Sequence, residues 1–216
     1  MKRYIAFVVL CLTMVGCGNN DYTPKPQAYL RIDMPQHDYW TVDTLRSHPG
    51  DTLVFNGDTA INLSGSVTTF PFIFEVNKCA EVAPKDNRKG ELYIDINYPQ
   101  WDGVVFLTYK RLRSPDDLRG QTDTSQHLME SHYQFASGIE ESRFDSPERH
   151  VHGTTFRIGG SRVASTYQFW VTDSVHHFLR GALYLNRTPN NDSLAPVINY
   201  IQQDIDHLIE TLRWRQ

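Results

Sequence analysis

Asp173-Ser174 followed by His176-His177 gathers the residue types of a hydrolytic triad within five positions. A working triad brings its three side chains together from separate elements and needs an oxyanion hole. The chain also has no Gly-x-Ser-x-Gly elbow, so this cluster reads as a turn between strands. Glu148, His150 and His152 alternate, and an extended backbone would put them on one face as a possible metal trio. His152 precedes Gly153 and no outer-shell partner can be named, which favours exposed histidines at a loop-to-strand junction. Cys79 beside Lys78 is either a low-pKa thiol or a small half-buried residue at a strand end. Trp101, Tyr109, Tyr167 and Trp170 could form an aromatic platform on an open sheet face that binds a small ligand. Phosphate loops, dinucleotide glycine fingerprints, His-Glu-x-x-His and paired Cys-x-x-Cys are all missing from the sequence. The expectation is a non-enzymatic protein with no cofactor and no metal.

The elements that must hold these residues are legible from periodicity. Leu92, Ile94, Ile96 and Tyr98 alternate with more polar residues, Pro99 to Gly103 turns the chain, and Val104 to Tyr109 returns as a strand. Ser114 caps a helix with Pro115, Asp116 and Asp117 in its first turn. Gly120 is expected to bend or split that helix, which resumes near Thr124 with Leu128, His132, Phe135, Ala136 and Ile139 on one face. Phe70 to Val76, Thr154 to Ile158, Ser165 to Thr172 and Phe178 to Asn186 read as further strands. A last helix is capped by Ser193, with Leu194, Val197, Ile198, Ile201, Ile205, Leu208, Ile209 and Leu212 as its core stripe. Residues 36 to 68, dense in Asp, Thr, Ser and Gly, read as a long excursion or a marginal hairpin. The fold class is therefore α+β, a single antiparallel sheet covered by two helices as an α/β/α sandwich.

Length and charge fit that reading. The 216 residues carry 40% hydrophobic and 21% charged content, enough for one core. The N-terminus explains two of the basic residues: Lys2 and Arg3 precede an apolar run from Tyr4 to Val15 that is too short to span a bilayer and ends in Gly16-Cys17. This pattern is similar to the bacterial lipobox, so residues 1–16 are expected to be a signal peptide and Cys17 the lipidated N-terminus, held by several acyl chains. Residues 17–27 read as a tether and 28–216 as one globular domain. Cleavage leaves 19 basic against 25 acidic residues, a net charge of −6 without a basic block; nucleic acid is not an expected partner. With Cys11 removed and Cys17 acylated, Cys79 has no disulfide partner.

Two patterns exceed composition. Asp-Thr or Asp-Ser followed by an aliphatic residue or Ala occurs five times, and Thr44, Thr52 and Thr59 lie within the 36–68 excursion. It resembles an O-glycosylation acceptor motif of Bacteroidetes envelope proteins, although the same dipeptides also start turns.

The second pattern runs through most of the expected mature chain. It comprises Pro24-Lys25-Pro26 before Tyr29-Leu30-Arg31, Phe70-Pro71-Phe72, Tyr98-Pro99 with Leu107-Thr108-Tyr109-Lys110, Gly159-Gly160 with Ala164-Ser165, and Gln168-Phe169. Its longest stretch runs from Thr172-Asp173-Ser174 through His177-Phe178-Leu179-Arg180-Gly181-Ala182-Leu183-Tyr184 to a helix ending Glu210-Thr211-Leu212-Arg213-Trp214. With that spacing the chain resembles the GldD family of gliding motility lipoproteins of the Bacteroidetes. The resemblance implies a lipid-anchored envelope protein, outside the cytoplasm, needed for the gliding apparatus and the linked type IX secretion system. It assigns no catalytic or ligand residue beyond the lipidated Cys17. The element order is also similar to the PsbP and Mog1p type of sandwich, whose members are mostly assembly factors. The expected partners are the membrane, through the anchor, and other envelope proteins. Gly18 lacks the aspartate that retains many lipoproteins at the inner membrane, which points to the outer one.

Overall fold

The computed structural model describes residues 32–42, 44–45, 55–56, 59–61, 67–85 and 91–215. Fourteen strands and two α-helices are described. They follow the order β1 (Tyr39–Val42), β2 (Thr44–Leu45), β3 (Phe55–Asn56), β4 (Thr59–Ile61), β5 (Val67–Thr69), β6 (Phe72–Asn77), β7 (Glu81–Lys85), β8 (Glu91–Tyr98) and β9 (Gly103–Arg111), then α1 (Pro115–Glu130), β10 (Gly138–Ser146), β11 (Val151–Gly159), β12 (Tyr167–Thr172), β13 (His177–Leu185), α2 (Asn191–Thr211) and β14 (Arg213–Trp214). Every strand pair is antiparallel.

The α+β class holds, but the expected single sheet is replaced by two principal sheets. One has seven strands in the order β10-β11-β12-β13-β9-β8-β7, and the other has three, β1-β6-β14. The difference arises at positions without local signal: β14 is two residues long and pairs Arg213 and Trp214 with Ile73 and Phe72. β2 with β3, and β4 with β5, form two further two-stranded ladders. Thr44 and Thr59 lie in β2 and β4, while Thr52, the signal peptide, Cys17 and the tether lie outside the described residues.

Alternation decides which face each strand buries. Leu92, Ile94 and Ile96 of β8 face the same side as their partners Tyr109, Leu107 and Val105 of β9, and Tyr98, paired with Gly103, continues that face; these seven side chains are buried. Tyr167, Phe169 and Val171 of β12 and Leu179 and Leu183 of β13 continue that layer. α2 lies on it through Val197, Ile201, Ile205 and Leu208, and Phe72, Phe74 and Val76 bring the small sheet into the same core. Each such buried side chain is worth roughly 1.5–3 kcal/mol. The opposite face is served by α1, whose Met129 packs with Phe156, Ile158 and Val163. Arg157, between two of these, points the other way to Gln202 and Asp206 of α2.

Three helix expectations are revised. α1 runs unbroken through Gly120, where an added Cβ would meet nothing within 4 Å. Ser114 caps it as expected, its hydroxyl accepting from the Asp117 amide at 3.2 Å. The helix ends at Glu130 instead of continuing through Ile139, because Gly138–Ser146 is drawn into the sheet as β10. That edge strand exposes Glu140, Glu141, Ser142 and Arg143 and so lacks the apolar alternation by which a strand is read. α2 starts at Asn191 after Asn190, placing Ser193 inside the first turn instead of at its cap.

Candidate functional site

The Asp173–His177 cluster is the β12–β13 turn. Asp173 Oδ1 accepts from the amides of Val175, His176 and His177 at 3.0, 2.8 and 2.7 Å. Burial raises the carboxyl pKa, but these three amides outweigh it and hold the group below its ordinary value. Ser174 adopts a left-handed backbone with φ 67°, its amide tied to Thr172 Oγ1. Ser174 lines the groove between α1 and β11, whereas His176 and His177 line a different one. His177 Nδ1 is 2.9 Å from the Tyr109 hydroxyl instead of meeting Ser174. The turn consumes the carboxylate that a triad would use.

The Glu148, His150, His152 alternation is broken by the chain itself. Pro147–Arg149 forms a 3-10 turn and His150 is left-handed with φ 51°, so the three do not lie along one extended strand. His152 Nδ1 pairs with Asp145 at 3.0 Å. Among the described residues, no group of three His, Cys, Asp or Glu side chains could hold a metal ion. The aromatic platform is also overturned: Tyr109 and Tyr167 are buried in the main core, Trp170 sits in the α1-side cluster, and Trp101 packs edge-on against Tyr200. β12 positions 167 and 170 differ in parity, so they face opposite ways. Cys79 is half-buried, and burial, only partly countered by its contact with the Tyr200 hydroxyl, raises its pKa; the thiol is not activated.

What the fold does assemble is a groove of about 740 Å³ at the seam of the two sheets. His150, from before β11, meets His176 and His177 from the β12–β13 turn, Arg111 from the end of β9, and Trp214 and Arg215 from the C-terminus. β14 builds one wall through its pairing with β6, and the Arg215 amide donates to the Pro71 carbonyl at 2.8 Å. The Trp214 indole donates to the His150 carbonyl at 2.9 Å and stacks on His177 at 5.0 Å with ring planes 7° apart. Arg149 completes the wall. Its Nη1 donates to the carbonyls of Ile209, Glu210 and Leu212, putting a cation on the negative end of the α2 dipole.

Sequence reasoning missed a second constellation, centred on Asp204, which is only 4% exposed. His37 Nδ1 meets its carboxylate at 2.7 Å, the Tyr39 and Tyr98 hydroxyls donate at 3.0 Å each, and Asn77 Nδ2 donates at 3.0 Å. Burial first, then the Asp204 charge, raises both phenol pKa values, keeping the two hydroxyls protonated as donors. His37 also stacks on Tyr200 at 4.1 Å. The hub ties the segment leading into β1, β6 and β8 to α2. Its sequence signal was available: Asp204 occupies a core-facing position between Ile201 and Leu208 in an otherwise apolar stripe.

The comparisons with known proteins bear on residues 62–214, which match the family described as gliding motility lipoprotein GldD. No curated protein matches the chain. The matched span takes in β5 to β14, both helices, Asp204 and the seam groove except for Arg215. The chain belongs to the GldD family of gliding motility lipoproteins.

Proposed function

We propose that this protein is a lipid-anchored, non-enzymatic accessory or assembly factor of the gliding motility and type IX secretion machinery of the Bacteroidetes, held at the outer membrane through Cys17. Family membership carries the reading. The fate of the reactive residue types supports it: the Asp173 carboxylate holds its own turn, Ser174 and His177 line different grooves, and Asp204 is enclosed by donors. No described helix is long and apolar enough to cross a membrane, and in this reading attachment comes from acyl chains. The partners are other envelope proteins of the apparatus. A ligand-binding module remains the second reading, favoured by the volume and lining of the seam groove.

The anchor is tested by Cys17→Ala. The variant is expected to stay unprocessed, to incorporate no labelled palmitate, and to leave a deletion strain without gliding or type IX secretion. Palmitate labelling equal to wild type would overturn the assignment of Cys17.

A further inference from the structure

We propose that β10 is the pairing edge of a symmetric dimer, in which the strands of two copies of this chain join antiparallel about Ser142. β10 ends the seven-strand sheet: it pairs with β11 on one side, and its residues Glu140 to Arg143 and Asp145 are exposed. An uncovered edge is a row of backbone donors and acceptors that can pair with another chain. The two ends of the sheet differ. β7 is five residues long and carries Pro84, which removes a donor, whereas β10 runs nine residues from Gly138 to Ser146 without a proline. Neighbouring contacts fix which β10 residues face outward. The Ile158 amide donates to the Thr166 carbonyl on the β12 side, so Arg157 and Gly159 turn their backbone groups to β10. Their partners Glu140 and Gly138 turn inward, as does Ser142, whose carbonyl accepts from the Thr155 hydroxyl at 3.4 Å. Ile139, Glu141, Arg143 and Asp145 therefore present N–H and C=O groups at the outer edge.

Two copies related by a two-fold axis join antiparallel only where outward residues oppose outward residues. The axis then passes through a residue, and charge and length choose which. Centred on Glu141 or Arg143, the seam sets that residue against its own copy, and like charges directly opposite repel. Centred on Glu140 or Phe144, it leaves four of the nine residues beyond the end of the second copy's strand. Centred on Ser142, all nine pair. Glu141 then lies opposite Arg143 of the second copy, Arg143 opposite its Glu141, Ile139 opposite its Asp145 and Glu140 opposite its Phe144, so no like charges are opposed. Within one chain Arg143 Nε already donates to Glu141 Oε1 at 3.0 Å. The four groups thus alternate in sign round a square, attracting along each strand and across the seam. A single strand pair is a small interface of the transient class, which a covalent trap can capture. The inference stands apart from the assembly-factor reading, since its test measures cross-linking and not motility or secretion.

Ser142→Cys in the full-length chain, oxidised mildly in its own cells and run on a non-reducing gel, tests it. At the axis position 142 faces itself in a non-hydrogen-bonded pair, whose Cα atoms stand about 4.5 Å apart, within disulfide reach. Ser142→Cys should therefore give a dimer band that contains this chain alone by mass spectrometry. Glu140→Cys is equally exposed on the same face but lies about 13 Å along the strand from its own copy, and should give about tenfold less. Cys79 is half-buried, and wild type, which keeps it, supplies the background. Adding Glu141→Arg or Arg143→Glu to Ser142→Cys sets like charges against each other and should cut the band about tenfold; adding both restores the square and the band. All four positions are exposed, so every variant should melt as wild type does. A band no stronger from Ser142→Cys than from Glu140→Cys, a band holding a different protein in place of the second copy, single reversals that leave the band unchanged, or a double swap that folds without restoring it would overturn the proposal.

Discussion

Replacing Asp204 with alanine should lower the unfolding free energy by about 3–5 kcal/mol, since several enclosed donors lose their acceptor at about 1–3 kcal/mol each. Four side chains donate to this carboxylate at 2.7 to 3.0 Å, from the β1 region, β6 and β8, and it is almost wholly enclosed. The substitution opens a small void and leaves those donors facing one another without an acceptor. For a domain of this size each kcal/mol shifts the melting temperature by about 2–4 °C, so a drop of roughly 10 °C is expected in a thermal scan. Asp204→Asn, similar in shape but with one oxygen exchanged for a donor, should fall between. Tyr98→Phe should cost much less in the Asp204→Ala background than alone, because both remove the same interaction. A melting temperature for Asp204→Ala within 2 °C of wild type would contradict the hub.

Gly181→Ala is the second large effect. Gly181 lies directly across from Phe169 in the β12–β13 pair, and a Cβ built on it would stand 2.1 Å from Phe169 Cε1 and 2.3 Å from Cζ. Phe169 is 1% exposed and packed in the main core, so its ring has nowhere to go. Overpacking of this kind costs 1–3 kcal/mol and occasionally more; with backbone and ring both fixed, about 3 kcal/mol is expected in chemical denaturation. Shrinking the ring should recover part of the loss, so Gly181→Ala with Phe169→Leu should be more stable than Gly181→Ala with Phe169 intact. A neutral single substitution would show that the ring does not lie over the glycine.

The β8–β9 hairpin, β12, β13 and α2 were legible in the sequence because each buries one regular face, so period-two or helical spacing survives in the residue order. β10 was not, since a charged edge strand has no apolar periodicity and is defined only by its ladder to β11. β14 was invisible for a related reason: two residues specify nothing until Phe72 and Ile73, about 140 positions earlier, pair with them. The candidate site divides in the same way. The turn at Asp173 could be read locally, yet its meeting with His150 and Arg215 is a product of β14. The residue types of a metal or hydrolytic site are divided by the fold: His150, Asp173, His176 and His177 line the seam groove, while His152 and Ser174 line the groove beside α1.

The central claim, a role without catalysis, is tested most directly by complementing a deletion strain with a combined His150→Ala, His152→Ala and Ser174→Gly chain. Glycine suits the left-handed backbone at position 174 better than alanine and still removes the hydroxyl. The account predicts that this variant restores gliding, or secretion of type IX substrates in a species that does not glide. A chain ending before Leu194 should not, because it lacks most of the helix that covers the main core. A triple variant that is folded, lipidated and correctly located, yet fails to restore either activity, would contradict the account and return a catalytic or metal-dependent role to these residues.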